Sequence, residues 1–251
     1  MIPKQLLIRV DDAGLNDETN RGIEAALRVG VARSVGIMAC APCFKEAAVR
    51  LKTLTHSVSV GVHLTLNSEW TGYRWKPLLP VSEVSSLVDT DGFLPRNHQF
   101  YHERPPLLDH VVAELRAQIA AVLSTGLTPC YADEHMVFSA SSPWMLDPIR
   151  EIAGEAGLIY DRALNLARFP KGADSIENIT EGLRSAPDGR TLLIAHPAED
   201  GPHMRLLGHD RNPPGGPARE RSNELATLTD PRLSTLLSEH GVQPIGYADL
   251  R

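Results

Sequence analysis

The chain has 251 residues, with a hydrophobic fraction of 42% and a charged fraction of 22%, values typical of a globular protein and unlike a disordered or fibrous one. The net charge is −6, from 25 basic and 31 acidic residues, and the sequence has no run of Lys or Arg, which argues against nucleic-acid binding. Its apolar stretches are much shorter than the roughly 18 to 20 residues that a membrane span needs, so no transmembrane helix and no membrane partner are predicted.

The N-terminus and the cysteines bear on the compartment. Residues 1–5 lack the succession of a positive region, a hydrophobic region and a cleavage site that marks a secretory signal, which predicts a cytoplasmic location. Cys40, Cys43 and Cys130 form an odd set, as expected in a reducing compartment. Cys40 and Cys43 have the spacing of a redox pair, but they follow a predicted strand, which favours small apolar fillers near a turn.

Strands and helices are predicted to alternate along the chain. Residues 5–10 are mostly apolar and stop at Asp11 and Asp12, which indicates a buried strand followed by a turn. Residues 16–28 then have helical spacing, with Gly30 at the helix end. Further strands are predicted at 34–39, 58–64, 129–131, 158–160, 192–195 and 242–245, and further helices at 44–53, 108–123, 143–156 and 223–239.

This alternation predicts an α/β fold with a parallel sheet and right-handed crossovers. About seven such units favour an irregular (β/α) barrel, similar to a TIM barrel, over a two-layer sandwich. Two segments, about 67–106 and 200–221, interrupt the pattern and are rich in Pro, Gly and charge. They are interpreted as long inserted loops or lids. Because no linker or internal repeat is visible, residues 1–251 are predicted to form a single domain.

Polar residues at strand ends are the candidate catalytic groups, because barrel enzymes place their catalytic side chains there. They are Asp11 and Asp12, His63, the run Asp133-Glu134-His135, and His196. Each has a structural alternative: turn formation for the paired aspartates, a hydrogen-bonded core position for the histidines, and helix capping or a solvated face for residues 133 and 134. Their occurrence together at four strand ends favours a functional site.

The residue types point to metal-assisted hydrolysis. One carboxylate with two imidazoles, leaving coordination positions open, is a ligand set that suits Zn²⁺ or another first-row divalent ion. Such an ion activates water and polarises a carbonyl oxygen. Of the adjacent pair Asp11 and Asp12, one is expected to ligate and the other to act as general base, because neighbouring side chains point in different directions. His196 is suited to stabilise an oxyanion or to protonate a leaving amine, since its unperturbed pKa lies near physiological pH.

At these residues the sequence resembles the YdjC-like carbohydrate deacetylases, the family of the chito-oligosaccharide deacetylases, and more distantly the NodB-type polysaccharide deacetylases. Residues 11–16 are similar to the family's opening Asp-Asp-Phe-Gly motif, and residues 61–66 to its Gly-x-His-Leu motif. Residues 195–197 are similar to its His-Pro motif, and Arg221 with Glu224 and Leu228 to its late Arg-x-x-Glu stretch. The resemblance runs nearly from end to end.

The resemblance implies a role for each of these groups. It makes Asp12, His63 and His135 the metal ligands and Asp11 the base, and it places His196 near the acetyl group. It also implies a single YdjC-like deacetylase domain with the barrel of the polysaccharide deacetylases, a divalent ion such as Zn or Mg, and a homodimer. The implied activity is removal of an N-acetyl group from an amino sugar or short oligosaccharide, which makes a small carbohydrate the expected partner.

Two departures from the family motifs concern the pocket. Ala13 stands where the family usually has Phe, which is expected to alter pocket shape only. Residues 133–137 replace a histidine-rich Asp-Ser-His-x-His run and leave His135 as the sole histidine there. That change suits a metal ligand but alters the expected substrate contacts.

Five residues are predicted to bind substrate: Trp70, Arg74, Trp75, Glu134 and Arg221. The aromatic residues of the first insertion could stack on a sugar ring, and the alternative is that they pack the insertion against the barrel. Two other functions stay open at this point. One is metal-dependent hydrolysis of another amide, ester or phosphate bond, and the other is a non-catalytic carbohydrate-binding protein.

Overall fold

The computed structural model describes residues 3–54, 57–97, 99–210 and 212–250. The strands in this part of the chain are β1 (Lys4–Ala13), β2 (Ser34–Ile37), β3 (Ser59–Leu64), β4 (Tyr131–Glu134), β5 (Ile159–Tyr160), β6 (Ala167–Arg168), β7 (Arg190–Ala195) and β8 (Val242–Ile245). The α-helices are α1 (Asp17–Val29), α2 (Phe44–Lys52), α3 (Gln99–Glu103), α4 (Leu108–Ser124), α5 (Leu146–Glu155), α6 (Ile176–Ser185), α7 (Gly216–Leu228) and α8 (Leu233–Glu239).

All of these strands run parallel in one sheet, in the order β5-β4-β3-β2-β1-β7-β6. The eighth strand, β8, pairs with residues 4–7 of β1, while residues 9–13 of β1 pair with β2. No pairing joins β5 to β6 among the described residues, so the barrel stays open between them. The predicted α/β architecture, an irregular barrel of parallel strands, is confirmed.

Strand β1 is the central element of the sheet, and it is longer than predicted. It pairs with three strands, and its residues from Leu6 to Ala13 are buried. The predicted turn lies slightly later than expected: Asp11 and Asp12 are still inside the strand, and the backbone N–H of Leu15 donates to the carbonyl oxygen of Asp12 at 3.0 Å to close the turn. The register against β2 shifts between Val10 and Ala13, and Asp12 has a φ of 70°, in the left-handed region. This irregularity points two consecutive carboxylates toward one end of the barrel.

The first helix follows the predicted boundaries. Asn16 precedes α1, and its side chain accepts a hydrogen bond from the backbone N–H of Thr19, which satisfies a free donor of the first turn. Gly30 ends the helix with a φ of 85°, a conformation that favours glycine. Asn16 and Gly30 therefore determine where α1, the helix that follows β1, begins and ends.

Other boundaries differ from the prediction. The helix predicted at 223–239 is two helices, α7 and α8, separated around Pro231, whose ring nitrogen has no proton to donate within a helix. Since α7 begins at Gly216, the second inserted segment is shorter than the predicted 200–221. The strand predicted at 129–131 is shifted to Tyr131–Glu134, and α3, α6 and the two-residue strand β6 are not predicted.

The first inserted segment, within 67–106, is tied to the barrel by hydrogen bonds. Glu114 of α4 is fully buried and accepts the backbone N–H groups of Leu78 and Leu79, at 2.9 and 3.0 Å. The hydroxyl of Tyr101 donates to the carbonyl oxygen of Leu66 at 2.5 Å. These contacts hold the insertion against the strands that carry the candidate site.

Within the described ranges, no helix combines the length and the apolar character needed to cross a membrane.

Candidate active site and metal centre

The carboxyl ends of β1, β3 and β4 bring Asp12, His63 and His135 together. His63 pairs in register with Asp133 across β3 and β4, and His135 follows β4 directly. Strand β2 lies between β1 and β3, and its Gly36 makes the approach possible. A Cβ atom at Gly36 would meet Asp11 Oδ1 at 3.0 Å and His63 Nδ1 at 3.2 Å. A side chain there would press on both residues, which would have to shift by a few tenths of an ångström.

The three predicted ligands form a compact buried cluster. Oδ1 of Asp12 lies 3.2 Å from Nδ1 of His135 and 3.5 Å from Nε2 of His63, and the two nitrogens are 3.1 Å apart. The three side chains are at most 5% exposed. Oδ1 of Asp12 is buried and has no hydrogen-bond donor among the described residues. One carboxylate oxygen and two imidazole nitrogens turned toward a common point fit a divalent cation.

A carboxylate holds the far nitrogen of each histidine. His63 Nδ1–H donates to Oδ2 of Asp133 at 2.6 Å, and His135 Nε2–H donates to Oε2 of Glu69 at 2.9 Å. Donation from the far ring nitrogen leaves the nitrogen that faces Asp12 to bind an ion through its lone pair once it has lost its proton. This carboxylate–histidine arrangement is typical of metal sites.

The electrostatics of the cluster favour a positive charge. Burial lowers the pKa of His63, but the charges of Asp133 and Asp11 raise it well above its usual range. Burial also lowers the pKa of His135, but the charge of Glu69, the hydrogen bond with Glu69 and the charge of Asp12 raise it to about 9. Two protons or one divalent ion could supply the positive charge that these carboxylates attract.

Arg221 keeps Asp12 in its charged form by binding the second carboxylate oxygen. Arg221 Nη2 donates to Oδ2 of Asp12 at 2.7 Å. Burial raises the pKa of Asp12, but the charge of Arg221 and the facing imidazoles of His135 and His63 hold it well below its usual range. Oδ1 is thus left as the oxygen that faces the histidines.

Asp11, the predicted base, is bound by Arg9 two residues earlier on β1. Nε of Arg9 donates to Oδ1 of Asp11, and Nη2 donates to Oδ2, both at 2.8 Å. The Arg9 side chain is 3% exposed and also contacts Asp133, with Nη2 3.0 Å from Oδ2. The same guanidinium therefore contacts the predicted base and the carboxylate that orients His63.

His196 follows β7 and faces the same cavity from another side. Its backbone N–H donates to Oε2 of Glu224 at 2.5 Å, and its Nδ1 lies 4.0 Å from that oxygen. Burial lowers the pKa of His196, and burial raises the pKa of Glu224 to about 7. The lowered pKa makes protonated His196 a stronger acid, which suits donation to a leaving amine.

A cavity of about 920 Å³ opens above the cluster. Its lining includes eight of the ten predicted site residues: Asp11, Asp12, His63, Trp70, Glu134, His135, His196 and Arg221. A cavity of this size is in the range of small-molecule sites. The structure therefore brings both predicted catalytic residues, all three predicted ligands and three predicted substrate-binding residues to one space.

Trp70 and Arg221 form one wall of this cavity. The guanidinium of Arg221 lies 5.5 Å from the ring centroid of Trp70, and the imidazole of His209 stacks on Trp70 with centroids 5.7 Å apart. Nη1 of Arg221 and Nε1 of Trp70 are buried donors without hydrogen-bond partners among the described residues. Both residues line the cavity, while these two donor atoms are themselves buried.

The other predicted substrate-binding residues have contacts of their own. Arg74 pairs with Asp89 at 2.8 Å and is absent from the cavity lining, as is Trp75, which is buried against the ring of His135 with centroids 5.9 Å apart. Glu134 lines the cavity but accepts hydrogen bonds from the hydroxyl and the backbone N–H of Ser139, both at 2.8 Å, and from the hydroxyl of Tyr160. The hydrogen bonds of Glu134 hold the turn that follows His135.

Sequence reasoning missed Arg9 and Glu69. A visible signal existed for Arg9, because a charged residue inside an otherwise apolar strand needs a buried partner. Glu69 lies in the irregular insertion, where no periodic pattern indicates which side chains face inward. Cys40 and Cys43 are free thiols whose pKa values are raised by burial, which agrees with small fillers near the turn.

An open α/β barrel with a buried carboxylate and two imidazoles at its strand ends has the architecture of barrel proteins with a metal centre at that end. The chain belongs to the family of YdjC-like proteins, whose model matches residues 5–178. The family resemblance found in the sequence is thereby confirmed.

Relatives that match nearly the whole chain agree with this family. The chain is 28% identical over 263 residues to a protein of Geobacillus stearothermophilus named carbohydrate deacetylase, covering 99% of this chain and 98% of the relative. It is 28% identical over 212 residues to a carbohydrate deacetylase of Thermoanaerobacter pseudethanolicus, covering 78% and 81%. A solved Enterococcus faecalis V583 structure, described as a cellobiose-phosphate cleavage protein, has a TM-score of 0.82, 25% identity and 99% coverage of both chains.

Proposed function

We propose that this protein is a metal-dependent carbohydrate deacetylase that hydrolyses the N-acetyl group of an amino sugar or short oligosaccharide and releases acetate. The observation that carries the proposal is the unpartnered buried oxygen of Asp12, turned toward one nitrogen of His63 and one of His135. The relatives named carbohydrate deacetylase support the substrate class.

Asp12, His63 and His135 would hold the ion, with Asp133 and Glu69 orienting the two imidazoles. Two imidazoles and one carboxylate favour zinc or another first-row ion over magnesium, which prefers oxygen ligands. A divalent ion at this position supplies Lewis-acid chemistry, polarising the acetyl carbonyl and making water a better nucleophile.

Asp11 and His196 would move the protons. Asp11 accepts a proton from the attacking water, using a carboxylate lone pair that Arg9 does not occupy, since each oxygen has two. The water oxygen bonds to the acetyl carbon, and the carbon–nitrogen bond then breaks. His196 donates a proton to the departing nitrogen, so that the products are acetate and a free amine. The two residues line the same cavity, as this division of roles requires.

Trp70 and Arg221 would bind the sugar. Both residues line the cavity next to Asp12, so the Trp70 ring and the Arg221 guanidinium would contact a sugar placed there. The volume of about 920 Å³ has room for more than one sugar ring. Arg74 and Trp75 would support the insertion, while Glu134 would hold the turn after His135.

Acetate release tests the proposal. Purified protein is stripped with chelator, then assayed on N-acetylglucosamine and its oligomers before and after addition of Zn²⁺ or Mg²⁺. Acetate should appear only with added ion, and Asp12→Ala should give none. Turnover of acetyl esters or sugar phosphates without turnover of any N-acetyl sugar would contradict the substrate class. Turnover that survives complete metal removal would contradict the metal dependence.

Three broader expectations stay predictions: a single YdjC-like domain over residues 1–251, a homodimer, and a cytoplasmic location.

A further inference from the structure

A second group of potential metal ligands lies beside the first. Oxygen and nitrogen atoms of Asp11, His63 and Asp133 lie within 4.8 Å of one another, and all three residues are buried. His63 belongs to both groups, because its two ring nitrogens face in different directions. Two clusters that share a ligand are an arrangement from which a two-metal hydrolytic centre could be built.

Arg9 fills this second group of ligands. Its guanidinium donates to both oxygens of Asp11 at 2.8 Å, and Nη2 also lies 3.0 Å from Oδ2 of Asp133. On the far side, Nη1 lies 3.3 Å from Oδ2 of Asp161 and 3.1 Å from the hydroxyl of Tyr247. All three guanidinium nitrogens have hydrogen-bond partners, so the Arg9 side chain is fixed at the position where a second metal ion would have to bind.

His63 adds a second barrier to an ion at this position. Its Nδ1 must carry a proton to donate to Asp133, so that nitrogen has no lone pair left for a metal. Its Nε2 faces Asp12 and His135 instead. With Arg9 in place and Nδ1 protonated, Oδ1 of Asp133 is the ligand atom of the second group that keeps no partner among the described residues, and one such atom is too few to hold a divalent ion.

We propose that the guanidinium of Arg9 occupies the second group of ligands in place of a cation and positions Asp11 and Asp133 for their separate tasks. The part of this inference that concerns Asp11 rests on the proposed deacetylase function. Arg9 is a positioning residue, because it contacts the proposed base Asp11 and the carboxylate of Asp133, which orients His63, and acts on the reaction only by way of these two residues. Lysine cannot replace it, since a single ammonium cannot bridge both oxygens of Asp11 and reach Asp133.

The metal count tests the first half. Metal-free wild-type protein is titrated with ZnCl₂ by calorimetry, and the bound zinc is counted by mass spectrometry after gel filtration. The expected result is one zinc per chain, abolished in Asp12→Ala. Two zinc ions per wild-type chain would overturn the inference, even if the protein released acetate.

Kinetics of Arg9→Lys and Arg9→Ala test the second half. In both variants kcat should fall about 100-fold or more, the range of a disabled general base, while KM stays within about threefold. Guanidinium ion, at concentrations that leave the protein folded, should restore part of the kcat of Arg9→Ala, whereas urea and sodium chloride should not. Arg116→Ala, which removes an exposed arginine paired with Glu155, is the matched control and should behave as wild type.

Each outcome decides a different question. Wild-type kinetics in Arg9→Lys, or a folded Arg9→Ala that guanidinium does not rescue, would overturn the positioning role. If circular dichroism shows that Arg9→Ala is unfolded, the kcat and KM of Arg9→Lys alone test the positioning role. One zinc per wild-type chain without turnover of any N-acetyl sugar would remove the proposed function and leave the metal count standing.

Discussion

Nδ1 of His63 lies 2.6 Å from Oδ2 of Asp133 on the neighbouring strand, and this contact leaves Nε2 as the ring nitrogen that faces Asp12. The two residues are register partners across β3 and β4, so the pairing of the strands itself places the carboxylate beside the ring. A hydrogen bond of this kind sets both the tautomer and the basicity of a metal-binding histidine.

Asp133→Asn is therefore expected to weaken zinc binding about 10- to 100-fold, because the amide oxygen can still accept the Nδ1 proton but carries no charge. Zinc affinity is measured by competition with a chromophoric chelator. The control is Asp147→Asn, which changes an exposed carboxylate on α5. Equal zinc affinities in Asp133→Asn and wild type would show that the charge of Asp133 does not strengthen the His63 ligand.

Asp11→Asn separates catalysis from metal binding. The variant should lower kcat about 100- to 10,000-fold, because the amide cannot accept a proton from water. Zinc binding should stay close to that of wild type, since Asp12, His63 and His135 are untouched. Acetate release and zinc titration on the same preparation check both statements. A large loss of zinc affinity would reassign Asp11 as a ligand.

The order of elements could be predicted from the sequence because each depends on local patterns. Apolar runs gave the strands, helical spacing gave the long helices, and Asn16 and Gly30 mark both ends of α1. Predictions failed where the local pattern is weak. Strand β6 has two residues, too few to show any periodicity. The apolar spacing of α7 continues past Pro231 into α8, so the sequence pattern alone does not show that the helix is interrupted there.

The candidate ligands could be found because they lie at or directly after the ends of strands that are themselves visible in the sequence. The contacts of the residues around them could not be predicted, since those contacts join distant segments. Glu69 reaches His135 from the irregular insertion, and Glu224 reaches the backbone of His196 from α7. For Arg9, the sequence shows a buried charge but not which of its partners, Asp11, Asp133 or Asp161, it meets.

Gly36→Ala should disturb the candidate centre without unfolding the protein. The added methyl group would lie 3.0 Å from Asp11 Oδ1 and 3.2 Å from the imidazole of His63, so both side chains must shift. We expect weaker zinc binding and a loss of about 1–2 kcal/mol in unfolding free energy. Zinc titration and urea denaturation measure the two effects.

Gly154→Ala is the matched control for Gly36→Ala. Gly154 lies within α5, and a Cβ there meets no atom within 4 Å. This variant should gain about 0.5–1 kcal/mol, because alanine favours the helix, and it should bind zinc as wild type does. Wild-type zinc affinity in Gly36→Ala would contradict the close approach of Asp11 and His63.

Zinc affinity should rise with pH. In the metal-free protein, nearby carboxylates raise the pKa of His63 well above its usual range, and that of His135 to about 9. An incoming ion must displace the protons on the nitrogens that face Asp12, so apparent affinity should increase as the pH approaches 9. Titration calorimetry in buffers of different ionisation enthalpy counts the protons released. Zinc binding that is independent of pH and releases no proton would contradict this electrostatic description.

The raised pKa of Glu224 predicts that the unfolding free energy changes with pH. Burial raises this pKa from 4.5 to about 7 in the folded protein, while the unfolded chain keeps the ordinary value. The protonated, neutral carboxyl is therefore favoured on folding. Its contribution is fully present below pH 4.5 and is lost as the pH rises through about 7, because the unfolded state gives up its proton first.

Glu224→Gln should remove this pH dependence, because the amide is neutral throughout and can still accept the N–H of His196. Relative to the variant, wild-type unfolding free energy should fall by about 3 kcal/mol between pH 4.5 and pH 8, because each pKa unit corresponds to about 1.4 kcal/mol. Urea denaturation of both proteins across this range measures the difference. A constant difference would mean that Glu224 ionises with its ordinary pKa in the folded protein, and is therefore better solvated than its partly buried position beside His196 indicates.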